Sequence, residues 1–307
     1  MSDEKHIPVL FEETLSVLAP ERGGSFLDCT FGGGGHSRAI LERGAIAGTV
    51  LSAMDRDPAA ALRADKFKTE FGERFHFYGF CFSRLDEIAE APFDGILMDI
   101  GVSSFQLDDD SRGFSFRKEA FTDMRMDTRN GVPAAEFLET SPREALTEAI
   151  RDFGEEPQWR RVVDAIIAAR GSGKLSTTTG LAALIEAKIG KRPGSKIHPA
   201  TRSFQGIRIA VNDELGELKS ALPKAFSALK AGGVLAVISF HSLEDRIVKR
   251  FFNEVCGRPV DRFDNRLQDE RICRAELITH KTIRPSESEI LSNPRSRSSR
   301  LRALRKI

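Results

Sequence analysis

The chain has 307 residues, 40% of them hydrophobic, which is enough for one large α/β domain or two ordinary units with a real core. Forty-six basic residues face 45 acidic ones, and a net charge of +1 gives no whole-chain attraction to nucleic acid or to a membrane. Cys29, Cys81, Cys256 and Cys273 show no C-x-x-C spacing, MSDEKHIPVL lacks the basic start and apolar core of a leader, and no apolar stretch nears the roughly 20 residues of a membrane span, so the expectation is a soluble protein of a reducing cytoplasm.

From Ser25 to Asp99 short apolar runs (GSFLDC, GTVLSAMD, FHFYGF, FDGILMD) alternate with helix-like segments (HSRAILERG, DPAAALRADKFKTEFG, SRLDEIAEA). Near-continuous apolar strands separated by helices predict a parallel sheet covered on both faces, a doubly wound α/β fold. Residues 108–200 carry helical patterns and no strand signal: AAEFLETSPREALTEAIRDFG, PQWRRVVDAIIAARG and GLAALIEAKIG. They read as an inserted all-helical domain between 1–107 and 201–307. The alternation then resumes with NDELGELKSALPKAFSALKAGG, a helix closed by two glycines, the strand VLAVISF, and a helix from Leu243 to Val255. From His280 to Ile307 eight Lys/Arg face two Glu, a basic segment suited to phosphates.

TFGGGGHS, at 30–37, follows the first strand and opens the first helix. Glycines there allow positive φ and let a ligand approach the backbone; a tight turn seating helix on strand is the bland alternative. A nucleoside triphosphate needs a lysine after the last glycine, and His36 stands there. GSGKLS, at 171–176, lacks the leading glycine and the preceding strand, and reads as a flexible connection. A dinucleotide wants a third small residue, for which Ser37 is imperfect. S-adenosylmethionine carries a cationic sulfonium, which Asp28 at the mouth of the loop would favour. Asp55, closing the second strand 20 residues beyond Gly35, suits ribose hydroxyls, with Asp57 as the helix cap. Asp99 ends the fourth strand at the carboxyl edge, where ligands bind in open α/β sheets.

TFGGGGHS, MDRDP, DIGVSSFQLDD, RGFSF, DMRMD, HPATRSFQGIRIAVNDEL and SFHSLEDRIVK, in this order, resemble the bacterial 16S rRNA cytosine-N4 methyltransferases across almost the whole chain. The resemblance implies a Rossmann-like methyltransferase sheet with a helical insertion for substrate recognition. It implies S-adenosyl-L-methionine as cofactor and, as acceptor, the exocyclic N4 of a cytidine in the decoding centre of 16S rRNA. Carried onto matching positions, the cofactor contacts would be Gly34, Gly35, His36, Asp55, Phe82, Asp99 and Gln106; the GFCFSRL segment around Phe82 departs from the family's usual GPF.

Cytosine N4 has its lone pair delocalised into the ring, so an enzyme must hold that nitrogen where it can attack, and Asp99 is the candidate for this. An extruded base would be met by aromatic or arginine planes, which nominates Arg112, Phe114, Phe116 and Arg125, although both phenylalanines suit a core equally. Arg202, Arg208 and His241 are further substrate candidates, and Met124 and Met126 are expected in the core. His241-x-x-Glu244 has no further His/Cys cluster at ligand spacing, so no metal is expected; a helix-start network involving Ser242 and Asp245 is the alternative there. The assembled small subunit is the favoured substrate, because a modest basic surface cannot select one cytidine, and a homodimer is compatible with the sequence. Two other readings stay open: a nicotinamide-dependent oxidoreductase, and a non-catalytic RNA-binding assembly factor.

Overall fold

The computed structural model describes residues 8–191, 194 and 197–307. Two compact units emerge, Met1–Gly101 with Leu215–Ile307, and Val102–Glu214. The first opens with α1 (Phe11–Leu18), β1 (Ser25–Asp28), α2 (Gly35–Arg43), β2 (Val50–Met54), α3 (Pro58–Phe71), β3 (Phe75–Tyr78) and β4 (Phe93–Asp99). β1 to β4 pair in parallel, as the apolar runs predict. α3 starts where Asp57 accepts from Ala59 N–H and Pro58 presets φ, and it stops at Gly72 in the left-handed region. SRLDEIAEA, expected as a helix, makes only a 3-10 segment, Phe82–Glu87. Leu85 is its single buried side chain, too little apolar surface to hold a longer helix on the sheet.

The second unit is helical: α4 (Ser104–Asp108), α5 (Ala134–Thr140), α6 (Arg143–Thr147) running into a π-helical turn at Glu148–Phe153, α7 (Trp159–Ala169), α8 (Thr178–Ile189) and α9 (Thr201–Asn212). Leu138, Leu146, Ile150, Ile166, Ile185 and Phe204 lie in its core. It extends beyond the expected 108–200 at both ends. α9 belongs here because Gly206 rests on the π-helical turn, so closely that a Cβ would sit 2.0 Å from the Ala149 carbonyl oxygen. Asn212 ties the 112–126 loop down, donating to Met124 O and accepting from Met126 N–H, both at 2.7 Å. Both methionines are buried, as expected.

The chain returns through α10 (Glu214–Ser227), β5 (Leu229–Ser239), α11 (Ser242–Val255), β6 (Ala275–Leu277), α12 (Glu287–Ser292) and β7 (Arg300–Lys306). The glycines expected to close α10 lie inside β5: Leu229 already pairs with Phe93, and the register shift before Val234 makes Gly232 and Gly233 part of a bulge. The sheet has seven strands in the order β3-β2-β1-β4-β5-β7-β6, with β7 antiparallel to both neighbours. One face is covered by Leu218 and Leu222 of α10 with Val248 and Phe252 of α11. The other is covered by Leu15, Ile40 and Phe67 of α1, α2 and α3.

β7 takes up Arg300, Arg302, Arg305 and Lys306, four of the eight basic residues in the segment that the sequence assigned to phosphates. Asp245 accepts from Arg300 at 3.2 Å and from Arg302 at 2.7 Å, Glu276 pairs with Arg305 at 2.9 Å, and Lys306 donates to the Phe226, Ser227 and Leu229 carbonyls. Burial alone would raise the Asp245 carboxyl, but the Arg302 hydrogen bond and the charges of both arginines outweigh it and hold it below the usual range. Stability from this cluster is therefore present above the unfolded value near pH 4 and lost as pH falls through the lower folded value. Asp245→Ala is expected to cost about 1–3 kcal/mol in urea unfolding at pH 7, and the deficit should shrink at pH 3.

Candidate cofactor and acceptor site

Order β3-β2-β1-β4 places the switch point between β1 and β4, where the loops leaving adjacent strands diverge and open a crevice at the carboxyl edge. The loop after β1 is pinned from three sides. Phe31 N–H reaches the Met54 carbonyl at 2.8 Å, Gly32 N–H donates to Asp55 Oδ2 at 2.7 Å, and Arg63 Nε donates to the Gly32 carbonyl at 2.8 Å. Asp55 Oδ1 accepts from Asp57 N–H at 2.8 Å. Burial is the main reason the Asp55 carboxyl is pushed up to about 6, against the pull of those two backbone donors.

Asp28, expected to face a cation, is instead buried within the turn. Its carboxylate accepts from Ser37 Oγ at 2.7 Å and from Thr30 N–H at 3.0 Å, so it braces β1 against α2. Burial raises its carboxyl despite those donors. Gly34 has a packing role of its own. It caps α2 at φ +78°, and a Cβ there would come within 2.4 Å of the Phe67 ring and 2.9 Å of the Phe31 ring. A Cβ on Gly35 would meet Pro8 at 2.4 Å. These two glycines accommodate the protein's own side chains, whereas Gly33 is the exposed member of the run.

Asp99 sits across the crevice from this turn. Its N–H donates to Thr30 Oγ1 at 2.7 Å, and its Oδ2 lies 3.6 Å from His36 Nδ1 in the first turn of α2. The His36 ring is buried and stacks on Phe11 at 6.1 Å between centroids. Asp99 Oδ1 has no hydrogen-bond partner among the described residues, although 24% of the side chain stays open. Burial, then the negative charges of Asp28 and Glu244, push the Asp99 carboxyl up to about 8. Phe82 follows β3 and packs partly buried against the α10 side of the sheet.

His241 is the N-cap of α11, not an open substrate contact. Its Nδ1 accepts from Glu244 N–H at 3.4 Å, and Glu244 Oε2 accepts from His241 N–H at 3.2 Å, which closes a capping box; the same oxygen also accepts from Phe240 N–H at 2.8 Å. The helix-start network thus uses His241 and Glu244, while Asp245 holds the β7 arginines.

The remaining candidates lie in the helical unit, mostly engaged internally. Gln106, buried at 5% exposure, completes the α4 capping box by accepting from Ser103 N–H at 3.0 Å. Ser103-x-x-Gln106 is an S-x-x-Q signal that the sequence displays openly. Arg112 donates to the Arg125 and Met126 carbonyls, and Phe114 is buried in the core, the second of the two roles the sequence left open for it. Arg125 is clamped by Asp123 at 2.7 Å and Arg208 by Glu214 at 2.7 Å. Arg202 donates to the Glu155 carbonyl but is exposed. Phe116, half-buried, packs against His198 and Phe204 with ring centroids at 4.7 and 4.8 Å.

A switch-point crevice with an acidic residue after β2 and a partly open carboxyl after β4 defines an enzyme of the class that holds a nucleoside cofactor at the edge of a Rossmann-like sheet. The model of the MraW methylase family matches residues 3–307, and the chain belongs to that family. A ribosomal RNA small subunit methyltransferase H from Granulibacter bethesdensis is 45% identical over 97% of this chain and 90% of its own length. One from Thermomicrobium roseum is 46% identical over 98% of this chain and 94% of its own. An rRNA methylase structure from Streptococcus thermophilus aligns over 97% of this chain and 93% of its own, with TM-score 0.42 and 11% identity, a likeness too weak to bear on function.

Proposed function

We propose that the protein transfers a methyl group from S-adenosyl-L-methionine to the exocyclic N4 of one cytidine in the decoding centre of 16S rRNA. Family membership and the names of its relatives support a small-subunit rRNA methyltransferase. The observation that carries the choice of acceptor chemistry is Asp99: a carboxyl at the end of β4 with one buried oxygen lacking a hydrogen bond among the described residues, while 24% of its side chain stays exposed. A carboxylate oxygen accepts from an amino group, orients its lone pair and takes up the charge that develops as nitrogen forms a bond.

The cofactor supplies a methyl already activated on a sulfonium, so the chain contributes positioning and electrostatics. Asp55 accepts from ribose hydroxyls, Gly33 lets the methionine portion approach the main chain, and Phe82 flanks the base. His36 steadies Asp99. Gly34 and Gly35 shape the turn, and Gln106 fixes the start of the loop that follows Asp99. The helical unit recognises rRNA, with Arg202 the most accessible of its proposed contacts. The substrate is the assembled small subunit in the cytoplasm, since a modest basic surface cannot by itself select one cytidine. Among the described residues, no helix is long and apolar enough to cross a membrane.

The test incubates the protein and labelled S-adenosyl-L-methionine with small subunits lacking the modification, followed by nucleoside mass spectrometry. N4-methylcytidine at a single site is expected. Label on another base or on the ribose would overturn the acceptor assignment, and cofactor binding without any transfer would favour the assembly-factor reading.

A further inference from the structure

Two of the four cysteines meet across a short backbone pairing far along the chain from the crevice residues. Cys256, just past α11, and Cys273, two residues before β6, are partners in an antiparallel bridge, and Arg274 N–H donates to the Val255 carbonyl at 2.7 Å. That donor–acceptor pattern makes Cys256 and Cys273 a non-hydrogen-bonded pair, in which Cα atoms approach to about 4.5 Å and side chains leave on the same face. A disulfide accepts Cα separations from about 4.4 Å. The neighbouring backbone is equally close, since a Cβ on Gly257 would lie 3.3 Å from Cys273 Cβ. Both cysteines are thiols; Cys273 is exposed and Cys256 buried.

We infer that Cys256 and Cys273 form a redox modification site, closing to a disulfide on encounter with a low-molecular-weight disulfide such as oxidised glutathione. The Cys273 thiolate, the accessible member, attacks one glutathione sulfur; the glutathione S–S bond breaks and one glutathione thiolate leaves. The Cys256 thiolate then attacks the Cys273 sulfur, forming the protein S–S bond and expelling the second glutathione. The two protons given up by the cysteine thiols are taken up by the two departing glutathione thiolates, so the cysteines are oxidised and the glutathione is reduced.

Burial, with the nearby Cys273 thiol adding, pushes the Cys256 thiol up to about 11. The second step is therefore the slow one near neutral pH and quickens as pH rises toward that value. The disulfide closes the segment from Gly257 to Ile272, whose Phe263 and Leu267 are 71% and 70% exposed, into a ring anchored on α11 and on the strand pair β6–β7. Ring closure restricts the unfolded chain and raises the melting temperature of the oxidised protein by about 5 °C.

The test exposes the intact protein to oxidised glutathione at pH 8.5, then counts free thiols and maps peptides without reduction. The expected result is loss of two of the four thiols and one cross-linked peptide pair containing Cys256 and Cys273. Cys256→Ser should instead trap glutathione on Cys273. Either of two results overturns the inference: Cys273 left unmodified or carrying a lasting glutathione adduct in the unaltered protein, or a cross-link that joins Cys29 or Cys81 instead.

Discussion

Asp99→Asn is expected to lower kcat for methyl transfer about 1000-fold while leaving binding of the small subunit within a few-fold of the parent. The amide keeps the size of the carboxyl but can neither take the developing charge nor accept through both oxygens. Loss of the carboxylate should also weaken S-adenosyl-L-methionine more than S-adenosylhomocysteine, which lacks the sulfonium charge. Turnover within tenfold of the parent would remove Asp99 from the reaction.

The pH dependence gives a second readout. The Asp99 carboxyl, pushed up to about 8, lies above its unfolded value near 4, so its contribution to stability is full below pH 4 and is lost as pH rises through 8. Asp55, at about 6, acts in the same direction between 4 and 6. The cofactor-free protein should therefore melt at progressively lower temperature from pH 5 to pH 9, and Asp99→Asn should flatten the upper part of that slope. A sulfonium beside Asp99 favours the charged form, so cofactor binding at pH 7 should expel a proton. Calorimetry in two buffers of different ionisation enthalpy measures that release. Equal heats in both would mean that Asp99 does not change its protonation when the cofactor arrives.

The second large effect belongs to Gly34→Val, expected to destabilise the protein by about 3–4 kcal/mol as well as abolish cofactor binding. A valine must adopt φ +78° and push its branches into Phe67 and Phe31, whose rings hold the turn. Phe67→Ala in the same chain should relieve the crowding without relieving the backbone strain. Gly33→Ala separates the two uses of glycine: on the exposed side of the turn the fold should survive and cofactor affinity alone should fall. Parent-like melting of Gly34→Val would show that the turn can rearrange around it.

The first four strands were legible because each is an apolar run ending near a turn signal, and Asp57-Pro58 announces α3 by composition alone. β7 was not. In RLRALRK the buried Leu301 and Ala303 face one side of the sheet and Leu304 the other, and they are interleaved with arginines whose partners, Asp245 and Glu276, lie 29 or more residues away in sequence, so the strand reads locally as a basic tail. In the site, position along the chain revealed the carboxyl edge at Asp55 and Asp99. It could not reveal that Asp28 turns inward to Ser37, because that depends on how α2 meets β1. Nor could it show that Gly34 serves the rings of Phe31 and Phe67, since Phe67 comes from a helix two elements later. Gln106 also carries a local capping signal, S-x-x-Q, that the sequence displays and the structure uses.

The place of β7 between β5 and β6 bears on how the protein is made. β5 is complete at Ser239, but its free edge is covered only by Arg300–Lys306. While the ribosome adds the intervening residues, Leu235, Val237 and Ile238 belong to a strand with one row of amides and carbonyls still unpaired, a template for pairing with another nascent chain. Messages interrupted before that point should yield aggregating products instead of small stable fragments, and chaperone capture during synthesis should peak after β5 emerges and fall once β7 is out.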